Sequence, residues 1–194
     1  GDPVMGDIRV VNRHKVAFIL LEPNKSSVVV LENTPLHSSW IQKTLACFPT
    51  TTLGSLAADS SWLAYMDDGS KMLRVWEGDR SLPEALLPGC DGLSLSDMMM
   101  HHHPSMKFPY LAVFFYQDNG NGVIKVYETE HLNVFKTLCF GDCSIRGATV
   151  NKSFIGFLNE NQQFHLVGKK ELFNREIPPE KTFQMQITIG AILS

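Results

Sequence analysis

Four times along this chain of 194 residues a short apolar run meets a cluster of polar turn formers and is followed by a second short apolar run. Residues 16–21 lead through 22–26 into 27–31, and 62–66 lead through Asp67-Asp68-Gly69-Ser70-Lys71 into 72–76. Residues 111–116 then lead through 117–122 into 123–127, and 154–158 through 159–162 into 163–167. Runs rich in Val, Ile, Phe, Tyr and Leu, bounded by Asp, Asn, Gly, Ser and Pro, are the signature of strands and tight turns. No segment carries a helical period strongly enough to predict a helix. Superposing the four hairpins places a small residue at one position every time: Ala17, Ala64, Ala112 and Gly156, at intervals of 47, 48 and 44 residues. The same alignment brings Leu31, Trp76, Tyr127 and Val167 to one position in the second strand. A third strand is predicted after each hairpin, at 40–45, 85–87, 134–139 and 171–177. Another precedes each hairpin, at 8–11, 52–57, 92–96 and 144–150. The repeating unit is therefore four antiparallel strands.

A twisted sheet of four strands cannot bury both faces by itself, so a period of 40 to 50 residues with four strands per unit predicts sheets stacked on one another as β-propeller blades. The recurring small residue fits, because crowded inner strands tolerate little bulk while large apolar side chains fill the space between sheets. Ser61-Trp62-Leu63-Ala64-Tyr65-Met66, then Asp67-Asp68-Gly69, then Leu73-Arg74-Val75-Trp76 resembles the second and third blade strands of the WD40-repeat family. Val123-Ile124-Lys125-Val126-Tyr127 is the next match, with Tyr where that family has Trp. The resemblance is degenerate: no blade has the Gly-His pair, and Glu77 rather than Asp follows Trp76. It implies an all-β, WD40-like propeller of about four blades.

The expected layout is a cloning remnant or disordered start over 1–6 and four blades over 7–177, at about 7–47, 50–88, 92–140 and 143–177. Residues 182–193, which alternate apolar and polar side chains, are expected to form an extra strand of a further blade or a ring closure. Four blades are fewer than most such rings contain. A four-bladed ring, a split propeller completed by a partner chain, and a fragment of a longer propeller all satisfy the count, and the reading favours an incomplete or partner-completed propeller, since open strand edges invite addition from another chain.

Composition narrows the function classes. Charged residues are 19% of the chain and the formal net charge is -3, with no basic block, which disfavours nucleic acid as the main partner. No apolar run approaches the roughly 20 residues of a membrane span. Cysteines at positions 47, 90, 139 and 143 read as free thiols, and with no secretory leader recognised the expected location is intracellular, cytoplasmic or nuclear.

The most unusual run is Asp97-Met98-Met99-Met100-His101-His102-His103-Pro104-Ser105-Met106. Imidazoles and thioethers are ligands for soft and borderline metals, which makes His101, His102 and His103 the metal candidates. The plainer expectation is a surface insertion between two strands, with no native metal and no cofactor. The spacing Cys139-x3-Cys143 is a weak zinc signal, and Cys47, Cys90 and Cys139 are expected in linkers of three successive blades. Gly92-Leu93-Ser94-Leu95-Ser96 lacks the final Gly of a nucleophile elbow, and Gly120-Asn121-Gly122 reads as a turn rather than a phosphate cradle. No catalytic residue is predicted.

The resulting expectation is a non-catalytic interaction scaffold, a subunit of a larger protein complex. Trp40, Phe108 and Tyr110 are the candidate partner-binding residues, while Trp62 and Trp76 are expected between blades. The alternatives are a phosphoinositide-binding propeller, although the paired arginines that read headgroups in that family are missing, and a metal-binding or hydrolytic propeller enzyme.

Overall fold

The four hairpins form in the computed structural model, which describes residues 1–36, 38–49, 51, 54–141, 145–182 and 184–188, with 145–147 by backbone only. The first sheet, A, contains β1 (Val4–Asn12), β2 (Lys15–Glu22), β3 (Lys25–Glu32) and β4 (Ile41–Phe48) in that order. Sheet B contains β5 (Gly54–Asp59), β6 (Trp62–Asp67) and β7 (Met72–Glu77), and its outer edge is split between β8 (Arg80–Ser81) and β9 (Ala85–Leu86). Sheet C contains β10 (Ser94–His101), β11 (Tyr110–Tyr116), β12 (Gly122–Glu128) and β13 (Val134–Phe140). Sheet D contains β14 (Ile145–Val150), β15 (Phe154–Asn159), β16 (Gln163–Gly168) and β17 (Gln184–Thr188). Every neighbouring pair is antiparallel. The chain divides into two compact units, one of Gly1–Leu87 with His102–Met106 and one of Pro88–His101 with Lys107–Ser194.

The recurrent small residue holds the same place in each hairpin. Ala17 pairs with Val30, Ala64 with Val75, Ala112 with Val126 and Gly156 with Leu166. The three alanines have no exposed surface. At Gly156 a Cβ would approach the Phe164 ring to 2.9 Å, so an aromatic side chain occupies the space that the methyl group fills elsewhere. One step earlier in the second strand, Val16 pairs with Leu31, Leu63 with Trp76, Leu111 with Tyr127 and Ile155 with Val167. Strand alternation sends these two sets of pairs to opposite faces.

In the first unit, Ala17, Ile19, Val28 and Val30 of sheet A bury against Leu56, Leu63, Tyr65 and Trp76 of sheet B. The Phe48 and Tyr65 rings stack at 5.1 Å, and the Arg74 guanidinium lies 4.8 Å from the Phe48 centroid. Polar ties frame this apolar layer. Asp7 accepts a hydrogen bond from the Leu56 backbone at 2.9 Å, and Lys43 pairs with Asp79 at 2.9 Å. That contact raises the Lys43 pKa and lowers that of Asp79. In the second unit, Ala112, Phe114, Ile124 and Val126 of sheet C bury against Ile155, Phe157 and Val167 of sheet D. Phe157 meets Phe114 at 5.3 Å and Phe140 at 4.7 Å.

Several local expectations are corrected. The start over 1–6 is not wholly outside the fold, because β1 begins at Val4. The run over 97–106 is not an insertion as a whole: Asp97–His101 completes β10, with Met98, Met99 and Met100 buried. Three successive apolar residues conceal strand alternation, and both faces of this strand are covered. The strand expected at 171–177 is a short helix, α1 (Lys169–Leu172), followed by an irregular stretch. Lys-Lys-Glu-Leu favours a helical turn, and Pro178-Pro179 then leads into a 3-10 turn at Pro179–Lys181. The vacated edge is taken by β17, so the described part of 182–193 is the fourth strand of sheet D and not part of a further blade. Pro83 interrupts the outer edge of sheet B, which explains the two fragments there. Cys47 and Cys139 lie in strands β4 and β13 rather than in linkers. Residues 52–53, 142–144, 183 and 189–193, which the strand and Cys143 expectations include, lie outside the described residues.

If Ala112 is small because its site is full, Ala112→Leu should destabilise the protein by about 1–3 kcal/mol. At about 2–4 °C per kcal/mol for a chain of this size, differential scanning calorimetry should register a clear drop in melting temperature. Val134→Leu on the 40% exposed edge should leave the melting temperature nearly unchanged.

Candidate functional site

The three consecutive histidines go separate ways. His101 ends β10 in the second unit, where its ring stacks on Phe173 at 5.4 Å. His102 belongs to the first unit: its backbone N–H donates to Asp59 at 2.8 Å and its ring lies 5.7 Å from Trp62. Nε2 of His102 is 2.9 Å from the Met106 carbonyl, which accepts the ring proton. Nδ1 of His103 accepts from the Ser105 backbone at 3.2 Å and contacts the Ser105 hydroxyl at 2.7 Å. Each candidate ligand is thus engaged locally. Among the described residues no group of three or more His, Cys, Asp or Glu is placed to hold a metal ion.

The aromatic candidates also differ in kind. Trp62 and Trp76 are buried, as their strand positions imply. Trp40 precedes β4 and is 50% exposed. Tyr110 packs on Phe135 at 4.8 Å, and the Arg175 guanidinium lies over both rings. Phe108 is half-buried, with the Lys107 ammonium 5.5 Å from its ring centroid. These residues form no single constellation.

Two features were not anticipated. The first is a cavity of about 680 Å³ in the second unit, lined by His101, Phe173 and Glu171 and by three lysines, Lys152, Lys169 and Lys170. Two of those lysines come from α1, whose position is set by a buried cation. Lys136, 3% exposed, donates to the carbonyls of Glu171 at 2.8 Å and Asn174 at 3.0 Å and to the Thr182 hydroxyl at 3.1 Å. Burial lowers its pKa, and these three acceptors, in and after α1 and after the 3-10 turn, offset the cost of taking the ammonium out of water. Leu172 and Phe173 then anchor the segment in the core. Sequence spacing gives no sign of this cavity because it depends on a helical turn where a strand is expected.

The second feature is a pair of sheet faces. On sheet A, the rows Ile8–Phe18–Val29–Thr44 and Val10–Val16–Leu31–Gln42 lie on the side away from sheet B. Ile8 is 49% and Val10 58% exposed there. On sheet D, Thr149–Gly156–Leu166–Met185 lies on the side away from sheet C, as does the row containing Leu158, Phe164 and Ile187. Met185 is 41% exposed. Beside Ile8 and Val10, the central pair Phe18–Val29 of the same face is buried.

No family model matches the sequence, and no curated protein matches it. Solved structures do match its fold. Kluyveromyces lactis Hsv2p is similar with a TM-score of 0.52 and 11% identity, over 94% of this chain and 53% of that one. Chaetomium thermophilum Raptor is similar with a TM-score of 0.52 and 10% identity, over 84% of this chain and 16% of that one. The beta-propeller domain of Myceliophteria thermophila Cps50 (Swd1) gives a TM-score of 0.53 at 7% identity, over 95% of this chain and 73% of that one. The present chain therefore spans about half the length of the Hsv2p structure. At these identities the likeness is one of fold, and the fold is the WD40-like β-propeller that the repeat predicts. No helix among the described residues is long and apolar enough to cross a membrane.

The role assigned to Lys136 is testable. Lys136→Met should leave three acceptors without their donor, cost about 1–3 kcal/mol, and loosen the segment over 169–182. Hydrogen exchange should accelerate in that segment while the β2–β3 hairpin keeps its protection.

Proposed function

We propose that the chain is a non-catalytic interaction subunit, a propeller-type scaffold that holds other proteins through its sheet faces. The observation that carries this reading is the pair of apolar faces on sheets A and D. Each has the alternation of a packed interior, and Ile8 and Val10 on sheet A and Met185 on sheet D are exposed at their margins. Burying such surface contributes about 25 cal/mol per Å², so a partner that covers it gains both affinity and shape specificity. The half-exposed Trp40 lies beside sheet A and adds an aromatic anchor of the kind that dominates interface energetics. Completion of the propeller by another protein accords with this arrangement.

Affinity capture from source cells, followed by mass spectrometry, tests the reading. Specific proteins should be retained by the wild-type chain, and Val10→Asp, which places a charge on the open face, should release them with little effect on stability. Retention of none, or retention unchanged by Val10→Asp and by a matching Met185→Asp change, would sink it.

The lysine-lined cavity supports a second reading, an anionic lipid headgroup held beside α1. Lys152, Lys169 and Lys170 outnumber the one carboxylate of Glu171 at its wall, and cation clusters attract phosphate at low ionic strength. Cosedimentation with phosphoinositide vesicles should then fall severalfold for Lys169→Ala combined with Lys170→Ala. Equal sedimentation with uncharged vesicles would remove this reading.

A further inference from the structure

The cavity beside α1 lies within the second unit, and backbone hydrogen bonds fix its frame. Between β14 and β15, the Asn151 side-chain oxygen accepts from the backbone N–H groups of Ser153 at 2.8 Å and Phe154 at 2.9 Å, which closes a tight turn around Lys152. Phe154 pairs with Gly168 across β15 and β16, and one residue further out the Lys169 N–H donates to the Ser153 carbonyl at 2.8 Å. Lys152 and Lys170 are the next residues on either side of that bond. The fold thus gathers like charges at one wall. Their repulsion is a cost that the packing of α1 does not require, since Lys136 holds the backbone there and Leu172 and Phe173 anchor it in the core. An anion among the lysines offsets that cost.

Three lysines and the carboxylate of Glu171 leave the wall with two positive charges in excess. The cations that line it are ammonium groups. An ammonium is a compact point charge with rotatable donors, whereas arginine offers the planar fork that matches a carboxylate. The wall therefore suits a phosphate, which carries about two negative charges near neutral pH. At about 680 Å³ the cavity falls within the roughly 300–1,000 Å³ of small-molecule sites, more room than a lone oxyanion needs. The wall also carries Phe154 and the His101 ring, which stacks on Phe173 at 5.4 Å. Aromatic walls take up a planar ring by stacking, and a polyol such as inositol has no π-face to offer them.

We propose that this cavity binds a nucleoside phosphate, with the phosphate among Lys152, Lys169 and Lys170 and the base against the Phe154 and His101 rings. The proposal rests on the same cavity as the lipid-headgroup reading and shares its phosphate, but it is independent of the sheet faces that carry the interaction reading. Because the lysines come from the β14–β15 turn and from α1, a bound phosphate ties the two together and steadies the segment over 169–174.

Isothermal titration calorimetry of the full chain with ADP, at low salt and without divalent cations, tests this. ADP should bind saturably. Lys152→Gln, or Lys169→Gln combined with Lys170→Gln, should weaken it about tenfold or more. Phe154→Leu should weaken ADP about tenfold and leave pyrophosphate unchanged. Lys25→Gln, in the first unit, should change neither. Hydrogen exchange over 169–174 should slow when ADP is added. Far-UV spectra and melting points check that the variants fold, and Lys170→Gln alone, at an exposed position, replaces Lys152→Gln if that variant misfolds. No binding of ADP by either measurement overturns the proposal. So does pyrophosphate that binds as tightly as ADP, the mark of an ion site only, or a loss with Lys25→Gln equal to that with Lys152→Gln, the mark of diffuse surface charge. Inositol trisphosphate that binds more tightly than ADP overturns the nucleoside and supports the lipid headgroup. ADP binding without cosedimentation on phosphoinositide vesicles removes the lipid reading and leaves the nucleoside phosphate in place.

Discussion

A four-stranded antiparallel sheet with apolar side chains on both faces is unstable alone, and this constraint organises the whole protein. Burial of one face removes half of the exposed apolar surface and leaves the other half in need of a neighbour. Sheets A and B, and sheets C and D, meet that need by opposing a face with a small residue at its centre to a face with an aromatic residue. The approach is close because Ala17 and Ala112 contribute little bulk, and Tyr65 and Phe157 fill what they leave. Hydrogen bonds within each sheet fix the register, so that the small and large residues arrive at the same level in each repeat.

Several buried polar groups serve this packing. Lys15 is drawn into a contact with Glu32 at 3.1 Å and the Gly78 carbonyl at 3.4 Å, linking sheets A and B. Asn159 organises the tip of the β15–β16 hairpin: its side-chain oxygen accepts from the backbones of Asn161 and Gln163, while its amide donates to Gln163 and lies 3.1 Å from His165. His165 stacks on Phe157, and burial lowers its pKa, which favours the neutral ring that can accept from Asn159. Tyr127, raised in pKa chiefly by burial, donates to the Pro88 carbonyl at 2.8 Å. Each of these groups is satisfied by a partner that holds two segments in place.

The strand pairs were legible because their alternation and turn chemistry are local properties. Asp67-Asp68-Gly69-Ser70 predicts a turn from side-chain hydrogen bonding, and Asp67 indeed accepts from the Ser70 backbone at 2.7 Å. Less legible were the segments whose conformation depends on what they pack against. Three methionines in succession look like a loop insertion until both faces of β10 are seen to be covered. The stretch after Gly168 has the length and composition of another strand, yet Lys136, over 30 residues away in sequence, holds it as a helical turn. The histidine run drew attention through composition alone, whereas the lysine-lined cavity depends on residues from three separate segments.

The sequence by itself determined the repeat, the hairpins and the position of the small residue in each, because these follow from strand periodicity and steric volume. It also pointed to about four stacked blades of an incomplete propeller, since sheets of this composition have to stack. Only the tertiary structure decided which strand completes sheet D and which faces pack together within each unit. Those outcomes depend on pairings between residues far apart in the chain, where the energy of burial is decided by the neighbour and not by the residue. The pairing of a small-residue face with an aromatic face within each unit is therefore a property of the folded molecule, although every side chain in it was present in the pattern that revealed the repeat.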